Sequence, residues 1–171
     1  MGVVCSGGIF AIHGLLATIG SRILKFAQYL LPFITCAITD VTRTDESGMK
    51  NAAGLIIDLA SELQHEIKPF AFGLLEALLS NLNNSEVNIE SKLVCIVAIG
   101  DLIMAAGISS DKLHQVATAF EQAASLSLST GQSTEEEEIY QKLREALIEA
   151  YISVVHSQQS QHDLEFEKLT F

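Results

Sequence analysis

The stretch Gly100-Asp101-Leu102-Ile103-Met104-Ala105-Ala106-Gly107 is one copy of an apolar phrase that recurs along this chain. The other copies are His13-Gly14-Leu15-Leu16-Ala17-Thr18-Ile19-Gly20, Ile57-Asp58-Leu59-Ala60-Ser61-Glu62-Leu63 and the weaker Glu149-Ala150-Tyr151-Ile152-Ser153-Val154-Val155-His156. Anchored on Gly14, Asp58, Asp101 and Ala150, the copies are 44, 43 and 49 residues apart. A period of roughly 40–47 residues is typical of stacked helix pairs, in which each unit contacts only its neighbours.

The composition favours an all-α fold. The chain has 171 residues, is 49% hydrophobic and lacks tryptophan, so aliphatic side chains must make the core. There is no Asn-Gly or Asp-Gly pair and little strict alternation, so strand signals are poor. We therefore predict an α-solenoid of the HEAT or armadillo type with about four repeats.

The apolar periodicity predicts helices at about 6–19, 21–39, 48–63, 67–83, 88–106, 111–127 and 135–156. Grouped as pairs, they give repeats 6–40, 47–83 and 88–127, an incomplete repeat 134–157, and a polar C-terminal tail 158–171. Gly20 and Gly107 each follow the first helix of a pair, where a left-handed backbone is common. Pro32 lies inside the second helix, which we expect to kink there.

The run Glu135-Glu136-Glu137-Glu138 marks the start of the last long helix. Ser133 and Thr134 each precede a glutamate by three residues, which is the capping-box arrangement. The carboxylates also face the positive end of the helix dipole. We therefore interpret this run as a helix start and not as a metal site.

The net charge of −11 is uneven along the chain. Residues 1–110 hold 10 acids and 6 bases, whereas residues 111–171 hold 11 acids and 4 bases. Such a field repels a phosphate backbone, so we expect no direct nucleic-acid binding. It attracts a basic peptide or protein surface, although acidity could equally serve only to keep an apolar protein in solution.

The three cysteines, Cys5, Cys36 and Cys95, are far apart and lie in apolar runs. We predict buried free thiols in a reducing compartment. We expect no transmembrane segment, because the longest apolar run, 93–108, contains Asp101 and is shorter than the roughly 20 residues that a span needs. The apolar start, residues 1–20, lacks a cationic region, so a secretory signal is not expected either.

Polar stripes on the second helix of each pair are the candidate contact sites for a partner. They comprise Gln28 on the first, Glu76 and Ser80 on the second, and His114, Thr118 and Glu121 on the third. The alternative interpretation is an ordinary solvated helix face.

No pattern of reactive residues predicts catalysis. The sequence contains no nucleotide-binding glycine motif, no serine nucleophile elbow and no zinc-ligand spacing, and His65-Glu66 lacks the second histidine of a metalloprotease. Asp58 and Asp101 occupy equivalent repeat positions, which favours a shared structural task such as bonding a neighbouring turn. We predict no catalytic residue, cofactor or metal.

The first six residues, Met1-Gly2-Val3-Val4-Cys5-Ser6, fit the pattern for N-myristoylation at Gly2. Cys5 could take a second acyl chain, and two lipids would anchor the chain stably. This short pattern is also common by chance.

Three longer phrases carry a family resemblance. They are Lys68-Pro69-Phe70 leading into Leu78-Leu79-Ser80-Asn81-Leu82, then 99–107, then 143–155. In this order and spacing, the sequence from about 6 to 156 resembles the later HEAT repeats of importin beta (karyopherin beta).

The resemblance implies a right-handed superhelix with outer helices on the convex side and inner helices on the concave side. In the family, the later repeats embrace a basic segment of the importin-alpha adaptor. Slots between outer helices accept the FG repeats of nucleoporins. Ran-GTP is a doubtful partner here, because the family's contacts with it depend on amino-terminal repeats that this sequence lacks. Phe72, Gly73 and Ser80 stand where the family has acidic residues, whereas Glu76 remains acidic.

The functional hypothesis is a non-enzymatic protein-binding module of an importin-beta-type import receptor, present in the cytoplasm, the nucleus and the nuclear pore. Its partners would be an importin-alpha-type adaptor or basic cargo segment, and nucleoporin FG repeats. The alternatives are a HEAT-repeat scaffold or truncated receptor fragment without transport activity, and a lipid-anchored adaptor. A stack cut at both ends exposes apolar faces, so we also expect self-association or a longer parent chain.

Overall fold

The computed structural model describes residues 2–39, 46–127 and 134–169. These ranges fold into helices and contain no strand. The α-helices are α1 (Gly2–Ile19), α2 (Ala27–Thr39), α3 (Glu46–Leu63), α4 (Lys68–Asn83), α5 (Ile89–Ala106), α6 (Ser110–Ser127) and α7 (Thr134–Leu169). Two 3₁₀ segments, Gly20–Phe26 and Gln64–Ile67, join α1 to α2 and α3 to α4.

The helices form two layers, which confirms the predicted α-solenoid of stacked antiparallel helix pairs. In the odd layer, α1 packs on α3, α3 on α5 and α5 on α7. In the even layer, α2 packs on α4 and α4 on α6. The recurring apolar phrase lies on the helices of the odd layer, so it marks the surfaces on which successive repeats stack.

A single aliphatic core runs through both layers. Ile9, Ile34, Ile56, Leu78 and Ile99 are each 0% exposed and belong to one continuous cluster. Helix α5 lies in the middle of the stack and contacts α3, α4 and α7. Because other helices pack against several sides of α5, its sequence is apolar nearly all round.

The second helix differs from its prediction. Residues 20–26 form a 3₁₀ segment, and α2 begins only at Ala27. Pro32 then lies inside α2, which is a single continuous helix on both sides of the proline. The 3₁₀ segment begins at the left-handed Gly20, and the kink at Pro32 stays a prediction.

The residue directly after each of α1, α3 and α5 has a positive φ. These residues are Gly20 (φ 54°), Gln64 (φ 49°) and Gly107 (φ 76°). Gly20 and Gly107 confirm the prediction of a left-handed backbone. Gln64 was not predicted, although it stands 44 residues after Gly20 and 43 before Gly107. The repeat spacing, together with the two glycines, was the signal that could have found it.

Replacing Gln64 by glycine is expected to stabilise the protein by about 0.5–1 kcal/mol, because a Cβ atom is unfavourable in the left-handed region. The substitution also removes a hydrogen bond, in which Gln64 Nε2 donates to the Ser61 carbonyl oxygen at 2.6 Å. This loss reduces the net stabilisation. Urea denaturation followed by circular dichroism measures the change. Gln141→Gly, within α7, is the matched control and should destabilise; equal effects of both would contradict the backbone argument.

Helix α7 extends beyond its predicted end. The periodicity predicts a helix over 135–156, but α7 continues to Leu169. Ser157 is buried, and the Gln158 Nε2 donates to the carbonyl oxygen of Ile108 at 3.2 Å. The stretch after His156 lacks glycine and proline, so nothing in it stops the helix. The polar tail at 158–171 stays a prediction as a domain boundary.

One stretch, Gly7–Thr39, passes a length and hydropathy test for a membrane-spanning helix, and 22% of its tested window is buried. In the structure it is not one straight helix. The 3₁₀ segment with Arg22 and Lys25 separates α1 from α2, and both helices pack on α3. We interpret the stretch as the first helix pair of the stack, and the absence of a transmembrane segment stays a prediction.

Candidate functional site

Four of the predicted contact residues converge on one groove between neighbouring repeats. Glu76 and Ser80 come from α4, and His114 and Thr118 come from α6. The groove, which we call the α4–α6 groove, has a volume of about 490 Å³. Its lining is completed by Leu79, Asn83, Gln115 and Ala119. It joins the polar faces of two repeats, as the stripes on the even-layer helices predict.

Glu76 is already engaged within the chain. Its Oε1 accepts a hydrogen bond in an ion pair with the Lys112 ammonium, which also donates to Oε1 of Gln115 at 2.9 Å. The Lys112 ammonium lies 4.5 Å from the centre of the Phe72 ring, in cation–π geometry. The Glu76 side chain is still 48% exposed. The carboxylate can therefore face a partner, but Lys112 reduces the negative field that it projects.

Glu121 and Gln28 lie outside this groove. Glu121 is exposed on α6, and its charge adds to burial in raising the pKa of Tyr151 on α7. Gln28 lines a second groove, between α2 and α4, with a volume of about 710 Å³. This α2–α4 groove is largely apolar and is lined by Leu31, Pro32, Thr35, Cys36, Thr39, Pro69, Phe70, Gly73 and Leu74. The predicted residues thus form two separate surfaces of the even layer.

The odd layer carries a polar clamp between α1 and α3. The Nδ1 of His13 lies 3.0 Å from Oδ2 of Asp58, and its Nε2 lies 3.2 Å from the Asn51 carbonyl oxygen. Both partners are acceptors, so both contacts are hydrogen bonds only when the ring carries two protons. Asp58 thus joins two helices.

Asp101 does not repeat the task of Asp58. Burial, and then the negative charge of Glu149 on α7, raise the pKa of the Asp101 carboxyl. On α3, at the position equivalent to His13 of α1, stands Ile57, whose aliphatic side chain cannot form such a clamp with Asp101. The prediction of a shared structural task is therefore wrong.

Two buried polar side chains, Asn81 and Lys92, lie near the Cys95 thiol. Burial raises the pKa of the Cys95 thiol to about 11, which keeps it protonated and poorly nucleophilic. Asn81 Nδ2 lies 3.6 Å from Cys95 Sγ, and burial lowers the pKa of the nearby Lys92. Cys36 is exposed, in contrast to the predicted buried thiol, because it faces the α2–α4 groove. No group of three metal-ligating side chains occurs among the described residues.

The proposed lipidation residues fall at the edge of what the structure describes. Gly2 and Cys5 lie in the first turns of α1, but the structure does not describe the side chains of residues 1–6. Lipidation therefore stays a prediction from the sequence pattern.

The whole repeat array matches a known family. Residues 3–168 match the family of importin subunit beta-1-like proteins with TPR repeats. The chain belongs to the importin subunit beta-1-like family. The repeat spacing of 43 and 44 residues is that of HEAT units and longer than the roughly 34 residues of an ordinary TPR unit.

Two solved structures share the fold of this importin-beta-like chain. A chain of a Kap95:Nup1 complex is 19% identical with a TM-score of 0.71, over 87% of this chain and 17% of the other. A chain from a structure in which Kap95p binding induces the switch loops of RanGDP to adopt the GTP-bound conformation is 17% identical with a TM-score of 0.76. That match covers 98% of this chain and 19% of the other.

At these identities the structural likeness shows the fold alone. The importin-beta-like chain spans less than a fifth of either solved chain. It shares the solenoid fold of these chains, with three helix pairs followed by α7 in the described part of the sequence.

Proposed function

We propose that this chain is a non-enzymatic protein-binding module of an importin-beta-type receptor, which takes part in protein import into the nucleus. The family match over residues 3–168 supports the receptor type. The observation that carries the site is the convergence of Glu76, Ser80, His114 and Thr118 on the α4–α6 groove. The module would act in the cytoplasm, in the nucleus and at the nuclear pore.

The partner proposed for the α4–α6 groove is a basic segment of an importin-alpha-type adaptor or cargo. The chain has a net charge of −11, and Glu121 continues the polar stripe of α6 beyond the groove. Polar side chains from two helices can hydrogen-bond an extended segment, while the wider acidic field draws its lysines and arginines inward. Glu76 would contribute through its exposed portion, shared with Lys112.

A titration with a fluorescent basic adaptor peptide tests this function. Binding is expected at low salt and should weaken steeply as ionic strength rises, since exposed charges are screened. Thr118→Lys places a positive charge in the groove and is expected to weaken binding by about tenfold. Ser61→Lys, an exposed position on α3, changes the net charge equally and should alter binding by less than about twofold.

Three outcomes would count against the proposal. Binding that does not change with salt would remove the electrostatic basis. Equal loss in Thr118→Lys and Ser61→Lys would show that overall charge, and not the groove, attracts the peptide. A folded chain that binds no adaptor peptide would favour the alternative of a scaffold or receptor fragment without transport activity.

Nucleoporin binding is the second candidate, and the α2–α4 groove favours it. This groove lies on the same layer as the proposed adaptor groove, whereas the resemblance places the FG slots between the outer helices of the opposite layer. Its apolar residues Leu31, Pro32, Phe70 and Leu74 suit the phenylalanine of an FG repeat. One of the similar structures is a complex with Nup1. The groove between α1 and α3 is less suited, because His13, Asp58 and Glu62 line it. An FG peptide should bind with little dependence on salt, which separates this contact from the adaptor contact.

A further inference from the structure

A cleft at one edge of the solenoid lies outside both even-layer grooves. It is bounded by the start of α4, the end of α5 and the start of α6, and has a volume of about 350 Å³. Its walls are mainly apolar: Ala71, Phe72, Leu75, Leu102, Ile103, Ala106 and Ile108. Lys68, Lys112, Gly107 and Ser109 complete the lining. We call this site the edge cleft.

The preceding repeat shows that this cleft is not required by the fold. The equivalent space there has a volume of only about 10 Å³. Ala27 and Leu31 line it 44 residues before Ala71 and Leu75. The two spaces are therefore the same inter-repeat junction, closed in one repeat and open in the next.

Two differences in sequence open the later junction. Leu63 lines the closed space, and 43 residues later the smaller Ala106 takes its place. Phe70 also lines the closed space, whereas Leu113, 43 residues after it, is not among the residues that line the edge cleft. The later junction therefore has a smaller side chain at one of these positions and no side chain from the other in its lining, and the space remains accessible from outside.

The rim of the edge cleft is cationic in an otherwise acidic protein. Lys68 is exposed at the first residue of α4, and Lys112 lies over the exposed ring of Phe72. Of the ten lysines and arginines in the chain, two line this one cleft, and no acidic residue does. The amino-terminal end of α6 adds a positive dipole end, which the carboxyl-terminal end of α5 at the same cleft partly offsets.

We propose that the edge cleft binds a peptide segment of another protein that inserts one large apolar side chain and places carboxylates beside it. The apolar walls bury the anchor, and Lys68 faces the neighbouring carboxylate. Lys112 contributes positive charge, although Glu76 already pairs with it. This partner is opposite in charge to the basic segment proposed for the α4–α6 groove, so the two surfaces select different ligands.

Filling the cleft tests the proposal. The probe is a labelled peptide with one phenylalanine between aspartates, measured by fluorescence anisotropy with the full chain. Ala106→Leu restores the residue of the closed junction and is expected to weaken binding by about tenfold or more, since the anchor loses its pocket. Ala17→Leu, an exposed position on α1, makes the same change elsewhere and should leave binding unchanged. Thermal unfolding followed by circular dichroism verifies that both variants fold.

Charge reversal at the rim tests the choice of ligand. Lys68→Glu is expected to weaken binding of the acidic peptide by roughly three- to tenfold. Lys25→Glu, an exposed position in the first 3₁₀ segment, changes the net charge equally and should have little effect. A folded Ala106→Leu variant that still binds fully, equal losses in the two lysine variants, or equal binding of a peptide with lysines in place of the aspartates would each overturn the proposal.

These results are independent of the adaptor titration. The Thr118→Lys variant alters the α4–α6 groove and not the edge cleft, so it should retain the acidic peptide. The Ala106→Leu variant should retain the basic one. Failure of one site can therefore be distinguished from failure of the other.

Discussion

Replacing Phe120 by alanine is expected to lower the free energy of unfolding by about 3–5 kcal/mol, the largest effect that we predict for a single residue. Phe120 is 0% exposed and is among the largest fully buried side chains described. Its ring packs edge-on against Tyr151 of α7, with the ring centres 5.2 Å apart and the planes at 75°. Truncation would leave a cavity where α6 meets α7 and would remove the aromatic pair.

The consequence should be concentrated in the last part of the stack. In a solenoid each repeat depends on its neighbours, so a weakened α6–α7 contact loosens α7 first. Urea unfolding followed by circular dichroism gives the loss of stability. Hydrogen exchange should then show faster exchange of the amides of α7 than of those of α3.

Phe10→Ala is the matched control for this substitution. Phe10 is 72% exposed on α1, so the same truncation there creates no cavity. The free energy of unfolding should change by less than about 0.5 kcal/mol. A similar loss in both variants would contradict the assignment of Phe120 to the core between the third repeat and α7.

The fold could be predicted because its evidence is periodic. The copies of the apolar phrase at 44- and 43-residue spacing lie on helices that stack on one another, and such stacking needs similar apolar faces. The end of α7 could not be predicted in the same way, because its later residues lack an apolar period. A continuing helix depends there on the absence of a breaker and on the contact between Gln158 and Ile108.

The sequence predicted which helix faces carry the candidate site, but it did not predict the ion pair of Glu76 with Lys112. Helical spacing placed Glu76 and Ser80 on one face and His114 and Thr118 on another, and the stack brought them together. The two residues of this ion pair are 36 positions apart and lie on different repeats. A local sequence pattern therefore cannot predict the contact. The edge cleft could be identified only by combining the sequence with the structure. The sequence shows Ala106 at the position equivalent to Leu63, and the structure shows the volume that the smaller side chain leaves.

Replacing Gly100 by valine is expected to destabilise the protein by about 1–3 kcal/mol through overpacking between α5 and α7. A Cβ atom at Gly100 would lie 3.2 Å from the Cα and 3.3 Å from the Cβ of Ala150, and 3.6 Å from Oγ of Ser153. The closest of these atoms is backbone, so a rotamer change cannot relieve the contact. The two helices would have to separate, and their separation would uncover apolar surface along the odd layer.

Gly54→Val isolates this packing effect from helix propensity. Gly54 lies within α3, and a Cβ atom there would meet nothing within 4 Å. Valine is a better helix former than glycine, so this variant should be neutral or more stable by a few tenths of a kcal/mol. The same gain opposes the clash at position 100, which means that the measured loss understates the crowding. If the urea midpoints of both variants moved equally, the close approach of Gly100 to Ala150 would not hold the repeats together.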